Sequence, residues 1–145
     1  MRFDGTIDEL CDLNVAGLVT WLEAIPVKEW HRLGDPSYEN WDATFRPFAE
    51  EIVQRFYPGC KVGGMGLWLV EPGKVHPSHT DVQHDDWLVR IHIPLATNGG
   101  CVTTMSDGQH RLEVGKVYRF NTLSPHEVAN NGDTRRIHFM FDVLR

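Results

Sequence analysis

Apolar residues repeat at a helical period in the first part of the chain. The first 57 residues are predicted to be helical. The clearest apolar pattern at the helical period runs from Phe45 to Phe56. This pattern predicts a helix with Thr44 as its N-cap and Pro47 in its first turn. The turn-forming residues 57–59 are predicted to end it.

A second, earlier helix is predicted to start near Asn14 and to stop at Pro26. Leu18 and Leu22 fall on its apolar face, which needs a packing partner. A polar, Trp-rich connection over residues 30–41 then leads to the longer helix. This connection could cover a site as a lid, but clustered Trp is more often packing.

From Lys61 onward the apolar positions alternate, and turn residues recur every eight to twelve positions, which is typical of an all-β sandwich or barrel. Strands are predicted over residues 62–70, 74–79, 88–95, 101–105, 109–113, 117–121, 126–130 and 135–143. The predicted fold is therefore mainly β with N-terminal helices, a jelly roll covered on one side by those helices. Residues 1–145 read as one domain, with a helical support region over 1–60 and a jelly-roll core over 61–145.

Composition and charge narrow the function. Hydrophobic residues make up 41% and charged residues 23%, the balance of a globular protein. The net charge of -6, without a basic cluster, argues against a nucleic-acid partner. Because the sequence has neither a signal-peptide pattern nor a membrane-length apolar run, we expect a cytoplasmic protein. Three widely spaced cysteines fit reduced thiols better than a disulfide framework.

A metal site is indicated by His79, Asp81 and His126. In His79-Thr80-Asp81 an imidazole and a carboxylate lie two residues apart, on the same side of an extended segment. His126 opens a later predicted strand that a jelly roll can place beside the first. Two histidines and one carboxylate leave coordination positions open, as in non-haem iron(II) oxygenases, whereas structural zinc sites are closed by four ligands. Ordinary surface or core histidines remain the alternative.

Arg136 is the predicted partner of a co-substrate carboxylate. It lies on the last predicted strand and can face the same cavity as His126. There its planar guanidinium group could bind a carboxylate through two hydrogen bonds. Arg90 and His92 share one face of another, mostly apolar strand. The alternatives for Arg90 are a salt bridge to a core carboxylate and an outward-facing edge position. Arg135 is expected to be a solvated surface charge.

The chain resembles the aspartyl/asparaginyl β-hydroxylases and their bacterial relatives, which include free-amino-acid hydroxylases. The resemblance covers about Gly66 to Val143 and is carried by several blocks in the right order. These blocks are Glu71-Pro72-Gly73, Arg90-x-His92-x-Pro94-Leu95, Glu113-x-Gly115-Lys116-Val117, Pro125-His126-Glu127-Val128, Arg136 and Asp142-Val143.

This resemblance implies a double-stranded β-helix and a dioxygenase that uses iron(II), 2-oxoglutarate and O2. It implies iron ligands at His79, Asp81 and His126, and co-substrate contacts at Arg136, Arg90 and His92. Asp81 makes the chain look closer to the bacterial branch, because some animal members carry glycine at this position. Trp68 stands where some relatives have a small hydroxyl residue facing 2-oxoglutarate, so it is a further candidate at the co-substrate.

The expected substrate is an amino-acid or peptidyl side chain, with a free amino acid or small peptide preferred. Residues 83–87 follow the metal motif and are expected to form a loop at the cavity mouth, although a solvated turn is an equal reading. Two other functions stay open at this point. One is a cupin-type metalloenzyme that does not use 2-oxoglutarate, and the other is a non-catalytic β-barrel binding domain.

Overall fold

The computed structural model describes residues 2–24 and 41–145. Most of the predicted connection over residues 30–41, together with Ile25 and Pro26, lies outside these ranges. No helix in the described ranges combines the length and the apolar character needed to cross a bilayer.

Two helices and nine strands make up the described chain. In chain order they are β1 (Ile7–Asp12), α1 (Ala16–Glu23), α2 (Trp41–Phe56), β2 (Lys61–Val70), β3 (Val75–His79), β4 (Trp87–Ala96), β5 (Cys101–Met105), β6 (Gly108–His110), β7 (Lys116–Phe120), β8 (His126–Asn130) and β9 (Arg136–Leu144). All eight predicted strands are present, and β6 is shorter than the predicted segment over 109–113.

The strands form two antiparallel sheets. The large sheet has the order β1-β7-β4-β9-β2, and the small sheet has the order β3-β8-β5-β6. Strands that are distant in sequence are therefore neighbours in space, as in a jelly roll. The predicted mainly-β fold with helices on one side is confirmed.

Strand β1 corrects the prediction that the first 57 residues are helical. Its six residues, Ile7–Asp12, carry three acidic side chains and have no strong strand pattern of their own. They pair with β7, where Asp8 forms an ion pair with Arg119 at 2.6 Å and Asp12 one with Lys116 at 3.3 Å. The strand thus depends on cross-strand partners about a hundred residues away, which local sequence does not reveal.

Helix α2 begins earlier than the sequence predicted. Thr44 lies inside the helix rather than at its N-cap, and Pro47 is in its interior. The helix begins at Trp41, about one turn before Thr44. Packing of Trp41 explains this earlier start, because the residue is 2% exposed and its ring lies 4.4 Å from that of Phe45. The predicted end is correct, since the helix stops at Phe56 and Gly59 has the left-handed φ of 86°.

The apolar core lies between the helices and the large sheet. Along β9 every second side chain faces the helices and is fully buried, namely Ile137, Phe139, Phe141 and Val143. Strand β4 does the same with Val89, Ile91, Ile93 and Leu95. Phe45 connects the two layers, because its ring lies 4.8 Å from that of Phe139 and 5.0 Å from that of Trp21.

The opposite faces of β4 and β9 point between the two sheets, and they are polar. Arg90 and His92 lie on this face of β4, directly across from Asp142 and Met140 of β9. The interior of the jelly roll therefore holds charged and imidazole groups that the apolar core could not accommodate.

Replacing Phe45 with Ala is expected to lower the free energy of unfolding by about 3–5 kcal/mol, because it removes the ring that joins helix α2 to the sheet. Urea denaturation measures this loss. The half-buried Phe48 of the same helix is the matched control, and its Ala variant should lose clearly less. Equal losses in the two variants would contradict this account of the core.

Candidate metal centre and co-substrate pocket

His79 and His126 lie side by side on two neighbouring strands of the small sheet. His79 is the last residue of β3 and His126 is the first residue of β8, and they are direct partners in the register of the two strands. Their ring centroids are 4.3 Å apart. The antiparallel pairing thus brings two imidazoles together that are 47 residues apart in the sequence.

Both imidazole rings are oriented in the same way. The Nδ1 atom of His79 lies 2.7 Å from the carbonyl oxygen of Pro77, and that of His126 lies 2.8 Å from the carbonyl oxygen of Ser124. Because a carbonyl oxygen can only accept, Nδ1 carries the proton in each ring. In the neutral form of each ring, Nε2 then carries the lone pair that a metal-binding histidine requires.

Asp81 completes the cluster. Its backbone N–H donates to the carbonyl oxygen of Thr122 at 2.9 Å, which fixes the segment after β3 beside the turn before β8. Potential ligand atoms of His79, Asp81 and His126 all lie within 4.8 Å of one another. The structure therefore brings the three predicted ligands together into a group that could hold one metal ion.

His126 is the buried member of the cluster, with 2% of its surface exposed. Burial lowers the pKa of His126 below its usual range, and its hydrogen bond to the Ser124 carbonyl opposes this shift only partly. His126 is therefore neutral near pH 7, which is the form that binds metals.

Arg90 contacts two carboxylates at the mouth of the cavity. Its Nη1 donates to Oδ2 of Asp81 at 3.1 Å, while its Nε and Nη2 donate to the two oxygens of Asp142 at 2.8 and 3.0 Å. The alternative reading of Arg90 as the partner of a core carboxylate is thus correct. It does not exclude a co-substrate contact, because five N–H donors leave two unused here.

Arg136 is buried deep inside the jelly roll without a partner. Only 2% of its surface is exposed, and neither Nη1 nor Nη2 has a hydrogen-bond partner in the described ranges. Burial lowers the pKa of Arg136 to about 10, so its guanidinium still carries a charge at neutral pH. A buried, unpaired cation is costly, and a bound anion would offset that cost.

Trp68 lies between the two parts of the site. Its ring lies 5.7 Å from Cζ of Arg136, a distance compatible with a cation–π contact. The same residue lines an open cleft of about 380 Å³ beside the metal cluster. The lining residues of this cleft are Leu67, Trp68, His79, Asp81, Arg90 and Met140. Trp68 is therefore in contact with both the cleft and the buried guanidinium.

His92 is buried next to a second histidine. Its Nδ1 lies 3.1 Å from Nδ1 of His138, and its ring stacks on Phe120 at 4.7 Å. Burial and the nearby charge of Arg136 lower the pKa of both histidines well below the usual value, so both are neutral. One ring must then donate the Nδ1 proton that the other accepts.

Two partners were not assigned from the sequence, namely Asp142 for Arg90 and His138 for His92. The sequence did indicate that both residues face the cavity, because every second residue of the last predicted strand shares one side. These residues are Arg136, His138, Met140 and Asp142. Residues 83–86 form a loop and turn before β4 in which His84, Asp85 and Asp86 are exposed, and the position of this loop at the cavity mouth stays a prediction. Gln83 donates to Thr122, and Arg2 donates to the carbonyl oxygens of His84, Asp85 and Trp87.

A family model described as aspartyl/asparaginyl beta-hydroxylase matches residues 37–145. Because the match spans well over half of the sequence, the chain belongs to the aspartyl/asparaginyl β-hydroxylase family. The resemblance seen in the sequence motifs is thereby confirmed.

One curated relative is the L-proline cis-4-hydroxylase of Rhizobium meliloti (strain 1021), which is 27% identical over 97 residues. The match covers 66% of this chain but only 35% of that protein. The chain therefore spans about a third of the length of this relative.

Two solved structures share the fold. The viral collagen prolyl hydroxylase vCPH from Paramecium bursaria chlorella virus-1, in its 2OG complex, has a TM-score of 0.70 and 12% identity, with 97% of this chain and 96% of that chain covered. A prolyl-4-hydroxylase from Pseudomonas putida has a TM-score of 0.63 and 20% identity, with 98% and 94% covered. The predicted cupin-like jelly roll thus has close structural counterparts over nearly its full length.

Replacing Arg136 with Met is expected to raise the free energy of unfolding of the ligand-free protein by about 1–3 kcal/mol, because a buried charge without a hydrogen-bond partner is removed. Urea denaturation tests this. The neighbouring Arg135, which forms an ion pair with Glu71 at 3.0 Å near the surface, is the control, and its Met variant should not gain stability. A destabilised Arg136→Met variant would show that the guanidinium has partners in the native state.

Proposed function

We propose that this protein is an iron(II)- and 2-oxoglutarate-dependent dioxygenase that hydroxylates an amino-acid or peptidyl side chain. Two observations carry the proposal together: a three-ligand cluster, and a buried arginine in the space between the sheets whose terminal nitrogens have no hydrogen-bond partner in the described ranges. A metal site alone does not account for such an arginine, whereas a keto-acid co-substrate would bring a carboxylate to it. The likeness of the chain to proline hydroxylases supports the same activity.

Iron(II) would be held by Nε2 of His79, Nε2 of His126 and one carboxylate oxygen of Asp81. Two neutral imidazoles and one carboxylate suit a divalent transition metal and leave positions open for other ligands. With iron and co-substrate bound, the site would use O2 to replace a substrate C–H bond by C–OH, while 2-oxoglutarate is converted to succinate and carbon dioxide.

Arg136 would bind the carboxylate of 2-oxoglutarate that does not reach the metal. Its two terminal nitrogens are unused and could donate to both oxygens of one carboxylate. Next to it, His92 and His138 contribute polar but uncharged groups, so the arginine is the positive charge that would select an anion here. The low-dielectric surroundings strengthen this attraction.

Trp68 would set the path between the metal cluster and Arg136. The indole lines the cleft and lies 5.7 Å from the guanidinium, and the small gap that Arg136 itself lines is too narrow to admit a water molecule. A co-substrate that spans both groups must pass along the indole or displace it. Trp68 would also help to exclude water from the reacting centre.

The substrate would be a compact side chain with an aliphatic C–H group. Leu67, Trp68 and Met140 give the described cleft apolar walls, and Arg90 supplies a charge at its edge. This lining fits a ring such as that of proline, the amino acid in the name of the bacterial relative, better than a side-chain carboxylate or amide. A free amino acid or a small peptide would fit an open cleft of this size.

The proposal is tested by adding iron(II) and then 2-oxoglutarate to the protein without oxygen. A visible charge-transfer band is expected only when both are bound, because it arises from metal and keto acid together. Metal binding without this band would favour a cupin-type metalloenzyme, and no metal binding would favour a binding domain. After oxygen is admitted, succinate release in the presence of amino acids and proline-containing peptides would identify the substrate class.

Replacing Asp81 with Ala is expected to lower the affinity for iron(II) or cobalt(II) at least tenfold, because a charged ligand is lost. The expected size of the effect follows from the 10- to 100-fold losses caused even by changes outside the ligand set. Isothermal titration calorimetry measures the dissociation constant. The exposed Asp85, which follows the cluster in sequence but is not part of it, provides the control with Asp85→Ala.

Replacing Arg136 with Lys is expected to weaken 2-oxoglutarate binding by tenfold or more, while metal affinity stays the same. The charge is kept, but the planar fork that can bind both carboxylate oxygens is lost. The intensity of the charge-transfer band against 2-oxoglutarate concentration gives the affinity. Wild-type affinity in this variant would mean that Arg136 does not bind the co-substrate.

A further inference from the structure

The two carboxylate oxygens of Asp81 have different surroundings. Oδ1 lies 3.5 Å from Nε2 of His79, on the side of the metal cluster. Oδ2 lies 3.1 Å from Nη1 of Arg90, on the opposite side. One oxygen therefore faces the other potential ligands, and the second is held by a guanidinium.

Arg90 is in turn held by Asp142. The two residues lie directly opposite each other on β4 and β9, and Nε and Nη2 of Arg90 reach the two oxygens of Asp142 at 2.8 and 3.0 Å. The indole nitrogen of the fully buried Trp87 also donates to Oδ1 of Asp142, at 3.0 Å. The side chain of Asp142 is only 16% exposed, so solvent screens this pair weakly.

We infer that Asp142 is a positioning residue of the metal centre, which acts through Arg90 to keep Asp81 a single-oxygen ligand. This inference rests on the proposed metal-binding function. Within the described ranges the hydrogen bonds of the Asp142 side chain go to Arg90 and Trp87 and not to the three candidate ligands, so its effect would pass through the two bonds that fix the guanidinium. Arg90 would then hold Oδ2 of Asp81 and leave only Oδ1 for the metal.

Single-oxygen ligation has a chemical consequence. A carboxylate that is free to rotate can bind a metal through both oxygens, and it then occupies a position that a co-substrate or oxygen would need. With Oδ2 engaged by Arg90, this position stays open. Lysine in place of Arg90 could not do the same, because it lacks the rigid fork that binds Asp142 and Asp81 at once.

The negative charge of Asp142 would also increase the affinity of the site for a metal ion. With neutral imidazoles, Asp81, Arg90 and Asp142 together carry one net negative charge, which favours a divalent cation. If Asp142 were neutral, the guanidinium would offset the charge of Asp81 completely. The metal would then meet a ligand set with no net charge, and its affinity should fall.

The test is a titration of the full chain with cobalt(II), which is stable in air and absorbs visible light. In Asp142→Asn we expect the dissociation constant to rise about tenfold, the lower end of the range for changes around a ligand set. The visible absorption should also become weaker, since cobalt(II) absorbs less strongly as its coordination number rises. A purely structural role would not produce this spectral change.

Asp42→Asn is the matched control. Asp42 forms a two-oxygen pair with Arg46 at 2.8 to 3.0 Å on the exposed side of helix α2, far along the chain from the metal cluster. This variant loses the same kind of ion pair, and we expect wild-type affinity and spectrum. If Asp142→Asn does not fold because Arg90 is left unpaired, Arg90→Gln combined with Asp142→Asn removes both charges and keeps the net charge at one negative. In this double variant Oδ2 of Asp81 is free, and we expect the weaker visible absorption without the loss of affinity.

Wild-type affinity and spectrum in Asp142→Asn, or a wild-type spectrum in the double variant where the single one does not fold, would overturn the inference. Asp81→Ala in the same titration separates this result from a failure of the proposed function. If Asp81→Ala loses cobalt and Asp142→Asn does not, only the positioning role is wrong. If Asp81→Ala binds cobalt as the wild type does, the metal site itself is wrong.

Discussion

The two-residue alternation of β4 and β9 is the constraint on which the rest of the structure depends. These central strands of the large sheet present an apolar face to the helices and a polar face to the space between the sheets. A shift of one residue in their pairing would exchange the two faces and bury arginines against the helices. The apolar core therefore fixes the register, and the register positions Arg90, His92, Arg136 and Asp142.

Most of the buried polar groups between the two sheets have hydrogen-bond partners, and Arg136 is the exception. Arg90 is paired with two carboxylates, His92 with His138, and the side chain of the fully buried Asn130 donates to the carbonyl oxygens of Val70 and Thr134. Arg136 has no such partner in the described ranges. Leaving such a strong donor unpaired costs stability, and the proposed anion site at Arg136 would account for this departure from optimal packing.

The sequence predicted strands β2 to β9 and the three residues, His79, Asp81 and His126, that the structure brings together. Alternation and turn residues are local signals, and a His-x-Asp pair at the end of a strand needs only one distant histidine to complete it. Strand β1 was missed because its acidic residues become a strand only through Arg119 and Lys116 of β7. The N-terminus of α2 was misplaced because the packing of Trp41 on Phe45, rather than a polar cap, extends the helix. Asp142 could be assigned to one face from the sequence, but its pairing with Arg90 required the register between two strands.

The candidate site is divided between the two sheets, and this division bears on how the chemistry would be aligned. His79 and His126 belong to the small sheet, whereas Arg90, Arg136 and Asp142 belong to the large sheet. The metal cluster and the co-substrate pocket are therefore held by different parts of the fold. At the mouth of the cavity, the bond from Arg90 to Asp81 links β4 of the large sheet to the segment that follows β3 of the small sheet, at 3.1 Å. A keto acid bound to the metal and to Arg136 would span the same gap deeper inside. Both links would fix the distance between the sheets, so the protein side of the site is partly aligned before any co-substrate binds.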